Sequence, residues 1–171
     1  MKNHQATVSH WLSQLGQELN LPLSLGSDGH CIIPCQNELN CIVEVPANTQ
    51  HQAVYIYLPL VVLPEQSESR YELLTKALQT NLFGLLTGGC HIALDERSNC
   101  IVLSFCSLID GLDEIVFKHL LNDMLELAPA LRTHLQAGNS HSKTVLQDSL
   151  QRMNRSTANL RSRTGSGTNQ K

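Results

Sequence analysis

Between Leu19 and Leu23 the apolar residues of this chain change their spacing, and no single kind of secondary structure accommodates both patterns. Up to that point Val8, Trp11, Leu12, Leu15 and Leu19 recur at helical intervals, with Ser9, His10, Gln14, Gln17 and Glu18 largely on the other side. Pro22 disfavours helical geometry at Leu21, so this helix is expected to end near Asn20. Gly16 inside it costs about 1 kcal/mol of helix propensity relative to alanine. Beyond the break Leu21, Leu23 and Leu25 alternate, as do Val54, Ile56, Leu58 and Leu60 within Ala53–Leu63. Alternation puts successive side chains on opposite faces of a strand, so the chain packs helix against sheet.

The strands are short and closely spaced. Gly26-Ser27-Asp28-Gly29 turns the chain into His30–Cys35, a second turn around Gln36–Asn40 leads to Cys41–Val45, and Pro46-Ala47-Asn48-Thr49 precedes Ala53–Leu63. Such runs read as an antiparallel meander, with Pro59 at an edge or bulge because it lacks an amide donor. A second helix is signalled by Tyr71, Leu74, Leu78 and Leu82, with Ser69 and Glu72 at capping-box spacing and Gly84 placed to stop it. Gly88-Gly89 introduces a hairpin of Cys90–Leu94 and Cys100–Ser107. A third helix is expected over about 112–135, opened by Asp110 or Asp113, and Pro129 should kink or divide it. The predicted class is α+β: an antiparallel twisted sheet with three helices in the order α-β-β-β-β-α-β-β-α. Residues 1–136 form the folded domain. Residues 137–171 read as a polar basic tail in which Leu146, Leu150 and Met153 could line one face of a short helix.

Charge separates the same two regions. Residues 136–171 hold six Lys and Arg against Asp148, or +5, whereas 1–135 hold 6 basic and 14 acidic residues, or −8. A body of that sign repels phosphates and argues against nucleic-acid binding. The N-terminus has no continuous apolar stretch of signal-peptide kind, and no run is long enough for a membrane-spanning helix, so the chain is expected to stay in the cytoplasm without membrane insertion.

Chemistry finds little support. Of the six cysteines at 31, 35, 41, 90, 100 and 106, Cys31 and Cys35 have one zinc-like spacing but no second pair closes a tetrahedron. Cys90 and His91, as neighbours in a strand, point to opposite faces. Reduced cysteines packed in the core are the preferred reading, with no metal and no other cofactor. There is no C-x-x-C, G-x-S-x-G, Walker loop, G-x-G-x-x-G or H-E-x-x-H, and the carboxylates are scattered on caps and turns. An enzyme is not expected. The alternatives are a binding protein whose apolar stripes serve a partner, or one whose stripes all face its own sheet; the pattern alone does not separate them.

One stretch is more specific. Leu73-Leu74, then Leu78-Gln79-Thr80-Asn81-Leu82-Phe83-Gly84, then Thr87-Gly88-Gly89-Cys90-His91-Ile92-Ala93-Leu94-Asp95 resembles the "L-L-x-A-N-L-F-G…T-G-G-x-x-L-A-L-D" pattern of the class I type III secretion chaperones, the CesT-like or Tir chaperone family. Leu21-Pro22-Leu23-Ser24-Leu25 with Asp28-Gly29-His30-Cys31-Ile32 is similar to that family's opening, and Leu58-Pro59-Leu60-Val61-Val62-Leu63-Pro64 to its "A-P-L-G-x-L-P" turn. Val61 stands where that turn usually has glycine, and the tail after 136 exceeds a typical member.

The resemblance implies a cytoplasmic homodimer in a bacterium that binds an extended N-terminal segment of one or more secreted effector proteins, keeping it secretion-competent without ATP. A secretion-apparatus ATPase is a further candidate partner, and a non-secretion interaction adaptor of the same fold is the alternative. Family geometry laid over the apolar spacing assigns partner binding to Trp11, Leu12, Leu15, Leu19, Leu23, Leu25, Ile32 and Ile42. It assigns the dimer contact to Tyr71, Leu74, Leu78 and Leu82.

Overall fold

The computed structural model describes residues 4–35, 39–47 and 52–137. Helix α1 (His4–Leu19) leads into strands β1 (His30–Pro34), β2 (Asn40–Glu44) and β3 (Ala53–Val62). Helix α2 (Ser67–Asn81) follows, then β4 (His91–Asp95), β5 (Cys100–Leu108) and helix α3 (Glu114–Gln136). The five strands form one antiparallel sheet in the order β1-β2-β3-β5-β4. The α+β class with three helices stands as expected. Parts of the two expected turns, 36–38 and 48–49, and the tail from 138 with its Leu146, Leu150 and Met153, lie outside the described residues.

Three local expectations are corrected. Leu21–Leu25 adds no strand: Leu23 is buried, but its amide donates to Leu21 O at 3.0 Å rather than to a ladder. Its alternation records burial of one side chain against the core, which an irregular segment achieves equally well. Helix α2 opens two residues earlier than Ser69, with Gln66 at the N-cap and no side-chain cap. Helix α3 runs unbroken for 23 residues through Pro129. The expected start is sound there, since the Asp113 side chain caps α3 by accepting from the Val116 amide at 2.8 Å.

The core lies between one face of the sheet and the helices. Ile33, Val43, Ile56, Leu58, Ile101 and Leu103 point into it from the strands, meeting Leu12 from α1 and Phe117, Leu121, Met124 and Leu131 from α3. Trp11 and Phe117 stack as a tilted ring pair 5.4 Å apart, which fixes α1 against α3. Gly16 is the reason that corner closes: a Cβ there would sit 2.3 Å from Leu21 O and 3.1 Å from Leu23 N. The backbone reverses directly over the helix, which offsets the glycine's propensity cost.

Helix α2 is tied to the far side of the sheet. Its Arg70 donates to Asn99 Oδ1 at 2.6 Å in the β4–β5 turn, and Asn81 Oδ1 accepts from the Ile92 amide of β4 at 3.0 Å. A 3-10 turn, Leu82–Gly84, then carries Phe83 at φ 60°, a left-handed conformation unusual for a bulky residue.

Candidate partner-binding surface

With the helices on one side, the register exposes the other face of the sheet. Ile32, Ile42, Tyr57, Ser104 and His91 pair in turn across all five strands, and His30, Glu44, Tyr55 and Cys106 form the neighbouring row. These residues are exposed or half-buried, whereas their inward neighbours Ile33, Val43, Ile56 and Leu103 are buried. Around Tyr55, Tyr57, Glu44, His91 and Cys106 the face forms a trough of about 770 Å³.

The trough mixes aromatic surface with a few polar groups. Tyr57 donates to Glu44 Oε2 at 3.5 Å, and His30 Nε2 lies 3.4 Å from the same oxygen. Partial burial, with the Glu44 carboxylate beside it, raises the Tyr57 hydroxyl pKa. At the far end Asp95 is held below the usual carboxylate range, chiefly by the Ser98 hydroxyl and also by the Arg97 amide, which donate at 2.5 and 3.1 Å. Each group has a local partner, and the face offers shape and apolar area more than reactivity.

The β1 edge adds a backbone element. Val45 N bonds to Gly29 O and Cys35 N to Leu39 O, so Cys31 and Ile33 turn their peptide groups toward β2. His30, Ile32 and Pro34 turn theirs outward. His30 N is taken by Asp28 Oδ1 and His30 O by the Gly26 amide, while Pro34 has no donor. Among the described residues Ile32 therefore presents the one outward pair of donor and acceptor on this strand, beside a side chain that is 62% exposed.

The residues assigned from sequence divide sharply. Trp11, Leu12, Leu15 and Leu23 are core: Trp11 is 7% exposed and the others less. In the described chain they cannot line a groove without opening the fold, because the α1 stripe is spent on α3 and the sheet. Leu19 and Ile32 are exposed, and Leu25 and Ile42 half-buried. Ile32 and Ile42 are brought together as a cross-strand pair; Leu19, at the end of α1, is not on that row.

The second set behaves differently. Leu73, Ala77 and Thr80 form the buried side of α2. Tyr71 and Leu78 are each 72% exposed, Leu82 is exposed as well, and Leu74 is half-buried beside them. The stripe continues past the helix into Phe83, 84% exposed, and Leu85. Those two had a signal in the sequence: five residues from Leu82 to Leu86 include four large apolar side chains, more than one face at a helix end can bury.

The cysteines are all free, and burial is the leading cause that raises the pKa of Cys31, Cys35, Cys41, Cys90 and Cys100. A raised thiol pKa works against the thiolate that nucleophilic or ligating chemistry needs. Among the described residues no cluster of His, Cys, Asp and Glu could hold a metal ion, and no helix is long and apolar enough to cross a membrane.

Comparison with known proteins gives a consistent answer. The model of the Tir chaperone protein (CesT) family matches residues 10–132. Among solved structures, a chain of the ExsC–ExsE complex superposes with a TM-score of 0.65 at 18% identity, covering 81% of this chain and 100% of that one. The Yersinia pestis type III secretion chaperone SycH, solved with a stable fragment of YscM2, gives 0.51 at 21% identity, covering 73% and 99%. The heterodimeric ExoU–SpcU complex from the type III secretion system of Pseudomonas aeruginosa gives 0.51 at 17%, covering 75% and 93%. At such identities the likeness is one of fold. No curated protein sequence matches the chain.

Proposed function

The chain belongs to the Tir chaperone protein (CesT) family, and from that premise we propose that it is a type III secretion chaperone that holds a segment of a secreted effector protein in extended form. The observation that carries the reading is the open face of the sheet, with its trough of about 770 Å³, running out to Ile32, whose peptide has no partner among the described residues. An effector strand added at β1 would gain backbone pairing there with little demand on its own sequence, while leucine-type anchors on the same segment enter the trough. Each anchor is worth about 1.5–3 kcal/mol if fully buried. Ordering the segment consumes roughly 2–5 kcal/mol or more of that gain. Binding alone shifts which effector conformation is populated, so the work involves no catalysis and no ATP.

The exposed stripe Tyr71, Leu78 and Leu82, extended by Phe83 and Leu85, supports a homodimer in which α2 meets its symmetry mate. The protein would act in the bacterial cytoplasm, where effectors await export, with residues 1–136 as the working domain. Of the groove residues assigned from sequence, Ile32 and Ile42 keep that role on the open face, Leu19 and Leu25 lie off that row, and the buried Trp11, Leu12, Leu15 and Leu23 belong to the core on the other side of the sheet.

Co-expression with an effector followed by limited proteolysis tests the reading. An N-terminal effector segment that is cleaved when free should resist protease in the complex, at one effector segment per dimer or per protomer. A partner that is bound as a folded globular domain, with no protected extended segment, would replace this reading with that of an interaction adaptor.

A further inference from the structure

The last described residue of the chain lies at the rim of a second groove. Ala137, whose carbonyl is held by the Lys76 ammonium, lines a groove of about 740 Å³ between the end of β3, one flank of α2 and the end of α3. Its floor and walls include Val61, Val62, Pro64, Tyr71 and Glu72, and Val62 is 67% exposed, so apolar surface stands open beside the point where the chain leaves. Glu72 lines the groove, Glu68 stands one helical turn before it, and Glu65 follows the lining residue Pro64. All three are exposed, and none of them has an ion pair among the described residues. Lys76 is the one cation in the lining, and its ammonium is committed to Ala137.

The sequence beyond Ala137 matches that surface. Residues 138–171 carry Lys143, Arg152, Arg155, Arg161, Arg163 and Lys171 against Asp148 alone. Leu146, Leu150 and Met153 recur at the interval of one helical face, with Arg152 and Arg155 beside them. The eight residues from 138 to 145 reach up to about 26 Å when extended, more than the about 22 Å length of the 15-residue α2. So short a tether holds the segment near the groove at high effective concentration.

We propose that the groove beside α2 is the docking site of this chain's own segment 143–155. Leu146, Leu150 and Met153 cover Val62 and Tyr71, and Arg152 and Arg155 face Glu65, Glu68 and Glu72. The groove lies on the flank of α2 that carries Glu72, Lys76 and Gln79, next to the stripe of Leu78 and Leu82, with Tyr71 as the ridge between them. The docked segment thus borders the surface through which the dimer is proposed to form, and it stands apart from the outer face of the sheet.

Hydrogen–deuterium exchange of the full-length chain at low salt, read by mass spectrometry on peptides spanning 143–155 and 61–70, tests the proposal. In the wild type, segment 143–155 should exchange about tenfold or more slowly than the same sequence as a free peptide, and raising the salt should erase most of that difference. Glu68→Lys with Glu72→Lys should release both peptides, as should Arg152→Glu with Arg155→Glu, and all four substitutions together should restore protection. Exchange of 143–155 at the free-peptide rate overturns the proposal, as does protection indifferent to either charge reversal. Protection of 61–70, which lies outside the proposed dimer stripe, that follows protein concentration and survives Arg152→Glu with Arg155→Glu assigns the groove to a second copy and also overturns it. Protection that arises only on adding an effector segment assigns the groove to that partner and overturns the proposal as well.

Discussion

Leu78→Glu should convert the proposed dimer into a folded monomer. Leu78 is 72% exposed in the isolated protomer, so the fold has little invested in it, and a charge there stays in water when the chain is alone. At a two-fold contact the same side chain is buried once from each protomer. At about 2 kcal/mol for each leucine removed from water, the substitution forfeits roughly 4 kcal/mol. That is about a thousandfold in dimer dissociation constant, and desolvating two glutamates adds to it. Sedimentation equilibrium over a range of concentrations measures the shift, with thermal melting followed by circular dichroism on the same samples. The companion variant is Leu73→Ala on the buried side of the helix, at 8% exposure. It should cost about 2–5 kcal/mol of fold stability through loss of packing, and lower the melting temperature directly. An unchanged dissociation constant in Leu78→Glu refutes the interface. Loss of the folded monomer refutes the premise that Leu78 stands outside the core.

Three further outcomes are expected from the geometry. Gly16→Ala, which should gain about 1 kcal/mol of helix propensity, is expected instead to destabilise the chain in urea, because its Cβ meets Leu21 O at 2.3 Å; a stabilised variant would show that the 16–21 reversal is loose. Ile32→Pro removes the outward amide of β1 at a position an edge strand tolerates, so it should weaken effector-segment binding by about 1 kcal/mol, or several-fold, in titration calorimetry with little change in melting. Burial, with Asp123 adding to it, pushes the Cys90 thiol up to about 11 from an ordinary 9.0. Between those values the unfolded chain has shed a Cys90 proton the folded chain keeps, so this thiol's contribution to stability is constant below about pH 9 and falls above it by roughly 1.4 kcal/mol per unit. Burial shifts the thiols of Cys31, Cys35, Cys41 and Cys100 the same way, so urea titrations at pH 8 to 10.5 should show a steeper decline in the wild type, reduced by about that amount in Cys90→Ala.

The period change at Leu19–Leu23 was enough to order helices and strands, since 3.6-residue and two-residue repeats leave different marks. It could not tell what each apolar face meets. The α1 stripe reads the same whether it faces its own sheet or a partner, and only the approach of Phe117 to Trp11 settles it as core. Leu21–Leu25 shows the converse: alternation reports which side of a segment is buried, not that its peptides join a ladder. On α2, Tyr71, Leu78 and Leu82 were legible as a stripe, but their exposure was not, because Leu73, Ala77 and Thr80 supply the helix with a second, less greasy face that packs toward β4 and α3, where Thr80 meets His134. Pro129 does not divide α3, and Met124, Leu127 and Leu131 on either side of it are packed in the core. The β1 edge was invisible, being a matter of hydrogen-bond phase between strands that no residue type announces.

The hydrogen bond from the Ile92 amide to Asn81 makes the two margins of the sheet unequal. A sheet with two bare margins is a link: each copy accepts a neighbour on one side and offers itself on the other, and the series has no natural end. Here an asparagine sits on β4 where the next strand would begin to zip, while β1, among the described residues, offers a single free peptide between the Gly26 contact to His30 and Pro34. Asn81 therefore obstructs pairing at the start of β4 while Ile32 leaves β1 open, so a visiting strand is favoured at one margin over the other.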